Sequence, residues 1–530
     1  MKLYFWQVIL AITLLTSAGC ARKNFYASTP VVDQEVFKHL KSNSATPDSV
    51  TIQAGAHYER SFLHRLFWGT HYRPVWSVPV TVPVFEMDTT WGGLTVEKKG
   101  GGFQTTSFTM VSADNKTYAL RSLGKDPEEV LPGFWRKTFV VNILRDQISA
   151  SNPYGALIIP PLAKAAGIPH ATPQLVYVRP NDADFGEHQE AASNKVYMLE
   201  EKYTDERMVD EVTGNPVDIV GSGKMLNEVF GQQNHYPNQL AFAKARLFDL
   251  LLGDWDRHEG QWEWAKYERG GNHYYRPIPK DRDNAFYRFQ DGIIPWLFSR
   301  NWAIRKFETF DEDLSDVYAL TINSRFIDQR ALAQVTRAQF DSLAVALQQS
   351  ITDEVIAQAV SQFPAPVQEL EGEATKRKLV SRRDQLPKAA SKFYEILAKE
   401  VLIVGTDAED VFEVKRLNDE ETAVTVRRKS DDYVSFQRTF HRSETRLITL
   451  HGLAGDDEFA LSGKVQQGIT VKVVGGRGED EIKDESKVSG WGKKTKVYDT
   501  VRGTELEGGP DTKDRRTSDV RVHAFDREGF

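Results

Sequence analysis

Two short acidic stretches carry the chemistry that this chain offers most clearly. The first is Gly253-Asp254-Trp255-Asp256-Arg257-His258-Glu259-Gly260-Gln261, and the second is Lys280-Asp281-Arg282-Asp283-Asn284-Ala285-Phe286. About one hairpin separates them. An apolar helix leads into the first and a strand into the second. Carboxylates, with the amide oxygens of Gln261 and Asn284, suit Mg²⁺ or Mn²⁺, which take oxygen ligands. Phosphoryl transfer is the chemistry that fits. It asks little covalent work of the protein and needs a divalent metal, cations on the transferred group and an aligned acceptor.

The elements that must position these residues can be read from pattern. Asn238 is placed to cap a helix whose apolar set is Leu240, Phe242, Ala243, Leu247, Phe248 and Leu251, ending at the first acidic stretch. Upstream, Gly100-Gly101-Gly102 lies between strand patterns at 94–96 and 106–111, where glycine would let backbone approach phosphates. Residues 117–121 alternate as a further strand, reached through a turn at Asp114-Asn115 and ending at Arg121. Residues 72–80 read as extended. Residues 132–166 read as helical pieces broken at Pro153 and Pro160-Pro161, and 175–178 and 196–199 as buried strands. Amphipathic segments at 333–347 and 389–397 mark a helical region. Short strands at 411–414, 422–426 and 469–474, joined by turns rich in Gly and Asp, follow it. The expected fold class is α+β, divided as 51–205 (β-rich), 206–400 (helical) and 401–530 (β-rich, solenoid or sandwich-like).

The first two regions resemble the two-lobed kinase-like fold in its exported atypical branch, which includes the secretory-pathway casein kinases and the spore-coat kinases. Asp256-Arg257-His258 matches the start of that group's Asp-Arg-His-x-x-Glu loop, with Gln261 where the group has Glu. Asp281 and Phe286 keep the spacing of its Asp-Asn-Gly-x-x-Phe metal motif. The resemblance implies that Asp256, with His258 beside it, serves the acceptor hydroxyl, and that Asp281, Asp283 and Gln261 hold Mg²⁺ or Mn²⁺ with ATP or another nucleotide. It places Gly100, Gly101, Gly102 and Arg121 on the phosphates, Arg121 standing where the family has Lys. No Glu occurs between Glu129 and Glu187 to pair with that cation, so Asp146 or Gln147 would take its place.

The N-terminus reads as an export signal. Residues 4–15 are apolar but fall short of the ~20 needed to span a bilayer, and Ser17-Ala18-Gly19-Cys20 resembles a bacterial lipobox. Residues 1–19 are then a signal peptide and Cys20, the only cysteine, is the lipidated first residue. Residues 20–50 form a tether, and the expected location is the cell envelope, at the outer membrane by the Ala21 that follows. Thiol catalysis and disulfides are excluded from the mature chain. The net charge of -7 leaves no basic footprint for nucleic acid. Candidate acceptors are protein, glycan or lipid.

Near the C-terminus, Gly475-Gly476-Arg477-Gly478-Glu479-Asp480-Glu481-Ile482 resembles the nonapeptide of calcium-binding β-rolls, which makes Asp480 a candidate Ca²⁺ ligand. Residues 452–459 form an imperfect second copy, 23 residues away rather than in tandem. That spacing does not allow the usual ladder of tandem copies to form directly, and predicts instead a stack of β-solenoid rungs with Asp-Gly turns. Two competing readings are a non-catalytic envelope scaffold and a metallophosphoesterase. The second lacks the Asp-x-His pair that a dinuclear site requires. The chain also resembles a region of large exported Bacteroidetes-type proteins, some carrying a separate phosphoesterase module.

Overall fold

The structure, a computed structural model, describes residues 21, 25–26, 30–42, 47–101, 105–204, 214–489 and 492–529. The export signal, Cys20 and Gly102 lie outside the described residues.

Five antiparallel strands form the first sheet: β3 (Leu94–Gly100), β4 (Thr105–Ser112), β5 (Thr117–Lys125), β6 (Gln174–Val178) and β7 (Lys195–Glu201), in the order β3-β4-β5-β7-β6. A small pair precedes it, β1 (Ser49–Ile52) with β2 (Val80–Pro83). The β4–β5 turn falls at Asn115, whose φ of 64° suits an Asx residue. Phe108, Met110, Leu120, Tyr197 and Leu199 bury one face of the sheet. Helices α1 (Phe62–Trp68), α2 (Phe139–Gln147) and α3 (Ile159–Ala166) flank it, and Pro160-Pro161 occupies the first turn of α3, where the missing N–H costs nothing.

Two stretches differ from the sequence reading. Residues 73–77 form a helical turn with Pro74 in its first turn, not an extended segment. The stretch read as a tether contributes Phe25, Val31 and Leu40 to the main core, the last from the helix Gln34–Lys41, which Asp33 caps.

The second region is built on α4 (Gln239–Leu252), whose buried face carries Phe242, Leu247, Leu250 and Leu251. Strands β8 (Asp218–Gly221), β9 (His235–Pro237), β10 (Trp262–Arg269) and β11 (Asn272–Pro279) form a sheet in the order β8-β10-β11-β9. Helices α5 (Ile293–Phe298), α6 (Arg325–Ala331), α7 (Arg337–Ser350) and α8 (Glu373–Ala398) complete it. The Trp262↔Pro279 pairing of β10 with β11 brings the two acidic stretches to one end of a hairpin.

The C-terminal third is a stack of rungs. One parallel wall comprises β12 (Glu400–Val404), β16 (Leu447–Ala454), β19 (Thr470–Arg477), β22 (Thr495–Val497) and β24 (Thr512–Asp514). The other comprises β13 (Asp410–Arg416), β17 (Glu458–Ser462), β20 (Asp480–Asp484) and β23 (Thr504–Glu507), with the hairpin β14 (Glu421–Arg428) and β15 (Val434–His441) added antiparallel outside β13. A short pair, β18 (Lys464–Val465) with β21 (Lys487–Val488), lines a corner. Phe412, Phe459, Ile482 and Leu506 stack in register inside one wall, and Ile403, Leu450, Val473 and Val497 inside the other. The stack of rungs agrees with the sequence reading, with one correction: the two Gly-Asp copies do stack directly, since Phe459 pairs with Ile482 and 23 residues make one full rung.

A column of aspartates runs through the turns. Asp410 N–H donates to Asp457 Oδ1 at 2.8 Å, and Asp457 N–H to Asp480 Oδ1 at 3.1 Å. The Oδ2 atoms of Asp457 and Asp480 are buried with no partner among the described residues, whereas Asp410 Oδ2 accepts from Thr406 N–H at 2.7 Å. A Cβ on Gly475 would fall 2.4 Å from Asp480 Oδ2, so glycine is required there. Burial pushes Asp457 up to about 9, with the neighbouring Asp480 charge adding and the Asp410 N–H opposing. The folded state therefore keeps a proton that the unfolded chain loses above pH ~4. This group's contribution to stability falls as pH rises from about 4 towards 9. Asp457→Asn, which keeps the acceptor and removes the titration, should match the parent in urea unfolding at pH 4. At pH 8 it should exceed the parent by on the order of 1–3 kcal/mol.

Candidate active site

The site is assembled around one buried carboxylate. Asn238 Oδ1 accepts the Ala241 N–H at 3.0 Å to start α4, and Gly253, at φ 66°, ends it. One turn before that end, Arg246 and Asp249 are fully buried. Asp249 Oδ2 accepts from Arg246 Nη1 at 2.8 Å and Arg257 Nε at 3.2 Å, and Oδ1 accepts from Arg282 Nη1 at 2.6 Å. Burial alone would raise this carboxyl, but Arg257, Arg282 and Arg246 outweigh it and hold it below the usual range. Arg257 then ties the two acidic stretches together. Its Nη1 donates to Lys280 O at 2.7 Å and its Nη2 to Gln261 O at 3.1 Å, with the guanidinium 4.6 Å from the Trp262 ring centre. Phe286 N–H donates to Leu252 O at 2.8 Å and closes the second stretch onto α4.

This frame brings Asp256, Asp281 and Asp283 into one cluster. Asp256 Oδ1 accepts from Asn323 Nδ2 at 2.8 Å and Oδ2 from Asn284 Nδ2 at 3.3 Å. The same Asn284 nitrogen lies 3.0 Å from Asp283 Oδ1, so one amide bridges both acidic stretches. Across the cleft, Lys125 Nζ meets Asp283 Oδ2 at 2.5 Å and Arg121 Nη1 meets Asp281 Oδ1 at 2.8 Å. Arg121 also lies 3.4 Å from Glu200. Burial raises Asp281, yet Arg121 and Lys125 more than reverse it and keep it ionised below its ordinary value. Asp283 moves up, through burial and the charge of Asp281. Burial pushes Glu200 up to about 7 against the pull of Arg121. Asp254, enclosed behind the cluster, is likewise raised to about 7 by burial, with Arg257 opposing.

A cleft of about 280 Å³ lies between the first sheet and the second acidic stretch, lined by Gly101, Ser107, Arg121, Lys125, Asn152 and Asp283. A compartment of about 90 Å³ continues it past Arg121, Glu200 and Asp281 to the crossing segment Lys202-Tyr203-Thr204.

The expected residues divide into two groups. Arg121, Asp256, Asp281 and Asp283 stand together. Gly101 lines the cleft at φ 118°, and a Cβ there would fall 2.3 Å from Thr105 O; Gly100 ends β3 beside it. His258 instead caps a short turn, its Nδ1 accepting the Gly260 N–H at 3.1 Å. Gln261 Nε2 lies 3.5 Å from His258, and its backbone carbonyl receives Arg257, so neither side chain bonds to the aspartate cluster. Asp146, expected beside Arg121, pairs with Arg73 at 2.6 Å, Arg60 at 2.8 Å and His64 at 3.0 Å. Glu200 takes that place. Asp480 lies in the rung stack described above. Among the described residues, no group of three or more His, Cys, Asp or Glu side chains could hold a metal ion alone.

Sequence reasoning missed Lys125, Glu200 and Asn323. Lys125 carried a signal, since two-residue alternation places 121, 123 and 125 on one face of β5. Asn323 carried none, because only the tertiary fold brings it to Asp256.

No family model matches the chain, and no curated protein matches it. Among solved structures, it is similar to the proinflammatory kinase CtkA of Helicobacter pylori at 13% identity and a TM-score of 0.31, over 58% of this chain and 98% of that one. It is also similar to a Golgi casein kinase at 12% identity and a TM-score of 0.24, over 69% and 89% respectively. At these values the reading rests on the site's own geometry.

Removing the central carboxylate strands the buried Arg282 guanidinium and takes one acceptor each from Arg246 and Arg257, which keep Asp328 and Asp254. Asp249→Ala should lower the unfolding free energy by about 3–5 kcal/mol, read by urea denaturation. An exposed control such as Asp353→Ala should change it by under about 1 kcal/mol.

Proposed function

We propose that this chain is a metal-dependent phosphotransferase with a kinase-like core, taking its phosphoryl group from a nucleotide. The observation that carries this reading is the Asn284 amide shared by Asp256 and Asp283, facing a cleft whose other wall presents Arg121 and Lys125. In this reading the compartment beside Lys202-Tyr203-Thr204 receives the base, and Arg121 and Lys125 receive the phosphates.

The donor set fits Mg²⁺ or Mn²⁺. Asp281 and Asp283 keep 31% and 39% of their side-chain surface exposed, and such ions complete their shells with phosphate oxygens and water. A bound divalent ion would neutralise charge on the transferred group. The chain's own residues do the rest. Asp281 and Asp283 would hold the ion, and Arg121 and Lys125, which rest on the two aspartates, supply the positive charge for the phosphates. Asp256, held from both sides by Asn284 and Asn323, orients the acceptor hydroxyl and receives its proton. Glu200 holds Arg121 in place from β7.

The acceptor in this reading is a protein, glycan or lipid outside the inner membrane, reached by a lipoprotein anchored through Cys20. A second reading, a nucleotide-binding scaffold without turnover, is favoured by the ion pairs that already engage both metal-side aspartates.

Thermal unfolding separates these readings from a chain that binds no nucleotide. With Mg²⁺ or Mn²⁺ and ATP at about 100 times the dissociation constant, the fold should gain ~2.7 kcal/mol. Asp281→Asn and Lys125→Met should abolish the gain. Asp256→Asn should keep the gain and lower the rate of γ-phosphate transfer by about 10²–10⁴-fold. A parent protein that shows no metal-dependent shift with any nucleotide overturns both readings.

A further inference from the structure

We propose that α1 and α5 form a face that docks on the surface of a lipid bilayer, independently of the chemistry in the cleft. Single apolar residues scattered on a surface are ordinary, but a contiguous group marks an interaction site. In α1 the usual burial is inverted. Phe62, Leu63, Leu66 and Phe67 are 69%, 65%, 45% and 45% exposed, and no residue of the helix is buried. Their spacing of i, i+1, i+4, i+5 puts them on one stripe.

α5 packs beside α1. The glycines just outside the two helices touch, so that a Cβ on Gly292 would fall 2.2 Å from Gly69 N. α5 adds Trp296 and Phe298, each 49% exposed, and Trp302 follows at 70%. The face is held from behind. His71 Nδ1 meets Asp291 Oδ1 at 2.7 Å, and Gln147 Nε2 donates to Trp68 O at 3.4 Å.

Three observations select a bilayer as the occupant. Tryptophan and phenylalanine beside arginine suit the interface between headgroups and acyl chains, and Arg300 stacks 4.3 Å from the exposed Trp296 ring. Residues 59–73 and 291–306 together hold six Lys and Arg against two acidic residues, in a chain of net charge -7. Arg60 and Arg73 turn inward to Asp146, Arg305 pairs with Asp316 and Lys306 lies over Trp255, which leaves Arg65 and Arg300 to meet anionic headgroups. The third observation is the chain path. Ala21 N–H donates to Lys137 O at 3.3 Å, beside Phe134 and Trp135, which are 70% and 40% exposed. These precede α2, and the far end of α2 holds α1 through Asp146 and Gln147. Nine helical residues span about 13.5 Å, so the residue following Cys20 leaves close to the aromatic face.

The test uses the unacylated chain from Ala21 onward, which retains every described core residue, starting with Phe25. It is floated with vesicles of phosphatidylglycerol and phosphatidylethanolamine, or of phosphatidylcholine alone. The chain should float with the anionic vesicles, and brominated acyl chains should quench its tryptophan fluorescence. The combined variant Phe62→Ser, Phe67→Ser, Trp296→Ser, Trp302→Ser should bind at least tenfold more weakly at an unchanged melting temperature. Parent chain that neither floats nor is quenched overturns the proposal, as does a serine variant that binds like the parent. Concentration-dependent dimerisation lost in the variant, without vesicle binding, would assign the face to a second copy instead and equally overturn it.

Discussion

Asp249 is the constraint on which the site depends. A buried carboxylate is costly unless it is paired and fully hydrogen-bonded. Here three guanidiniums supply the pairing, and each arrives from a different place: Arg246 from the same helix, Arg257 from the first acidic stretch and Arg282 from the second. Arg246 reaches further, to Asp328 at 2.8 Å and Ser324 at 2.6 Å, which ties in α6. With three guanidiniums on one carboxylate, a shift of any one of them removes a donor from the buried Asp249. The two acidic stretches are thus locked in relative position before any ligand arrives.

The surroundings serve that lock. Trp262 and Trp264, both fully buried, pack against Phe242 of α4 and fix the hairpin that delivers the second stretch. The rung stack is fastened to the same body, with Gln233 Nε2 donating to Asp410 Oδ1 at 2.9 Å and Arg438 Nη1 to Ala333 O at 2.7 Å. A site held on rigid elements needs little reorganisation when its substrate binds. The ion pairs across the cleft, Arg121 with Asp281 and Lys125 with Asp283, keep opposing charges matched in the meantime.

Much of this was legible in the chain because it rests on local pattern. The cap at Asn238, the apolar face of α4, the β4–β5 turn and the acidic spacing all follow from rules acting over a few residues. What was illegible is tertiary. Asp146 stood in the right window to pair with Arg121, but Arg73 and Arg60 claimed it, and a glutamate on the neighbouring strand took its place. His258 matched a motif yet serves as a cap, because its ring nitrogen sits nearer the Gly260 N–H than any acid of the cluster. The rung stack was legible from its Asp-Gly turns, but not that the two copies 23 residues apart lie directly over each other, because the length of one rung is set by its folded path.

The hairpin β14–β15 has a directional consequence for the rung stack. It pairs along the outer edge of β13 and leaves β15 as the last strand of that wall, while α6 and α8 pack on β12, the first strand of the other. Exposed strand edges invite pairing with other chains. Here that invitation stands at β15 and β23 on one wall and at β24 on the other. The two walls therefore differ in what they can recruit: the wall that begins at β12 can take a further strand beside β24 alone, because helices occupy its first strand, whereas the wall of β13 can be extended from either side.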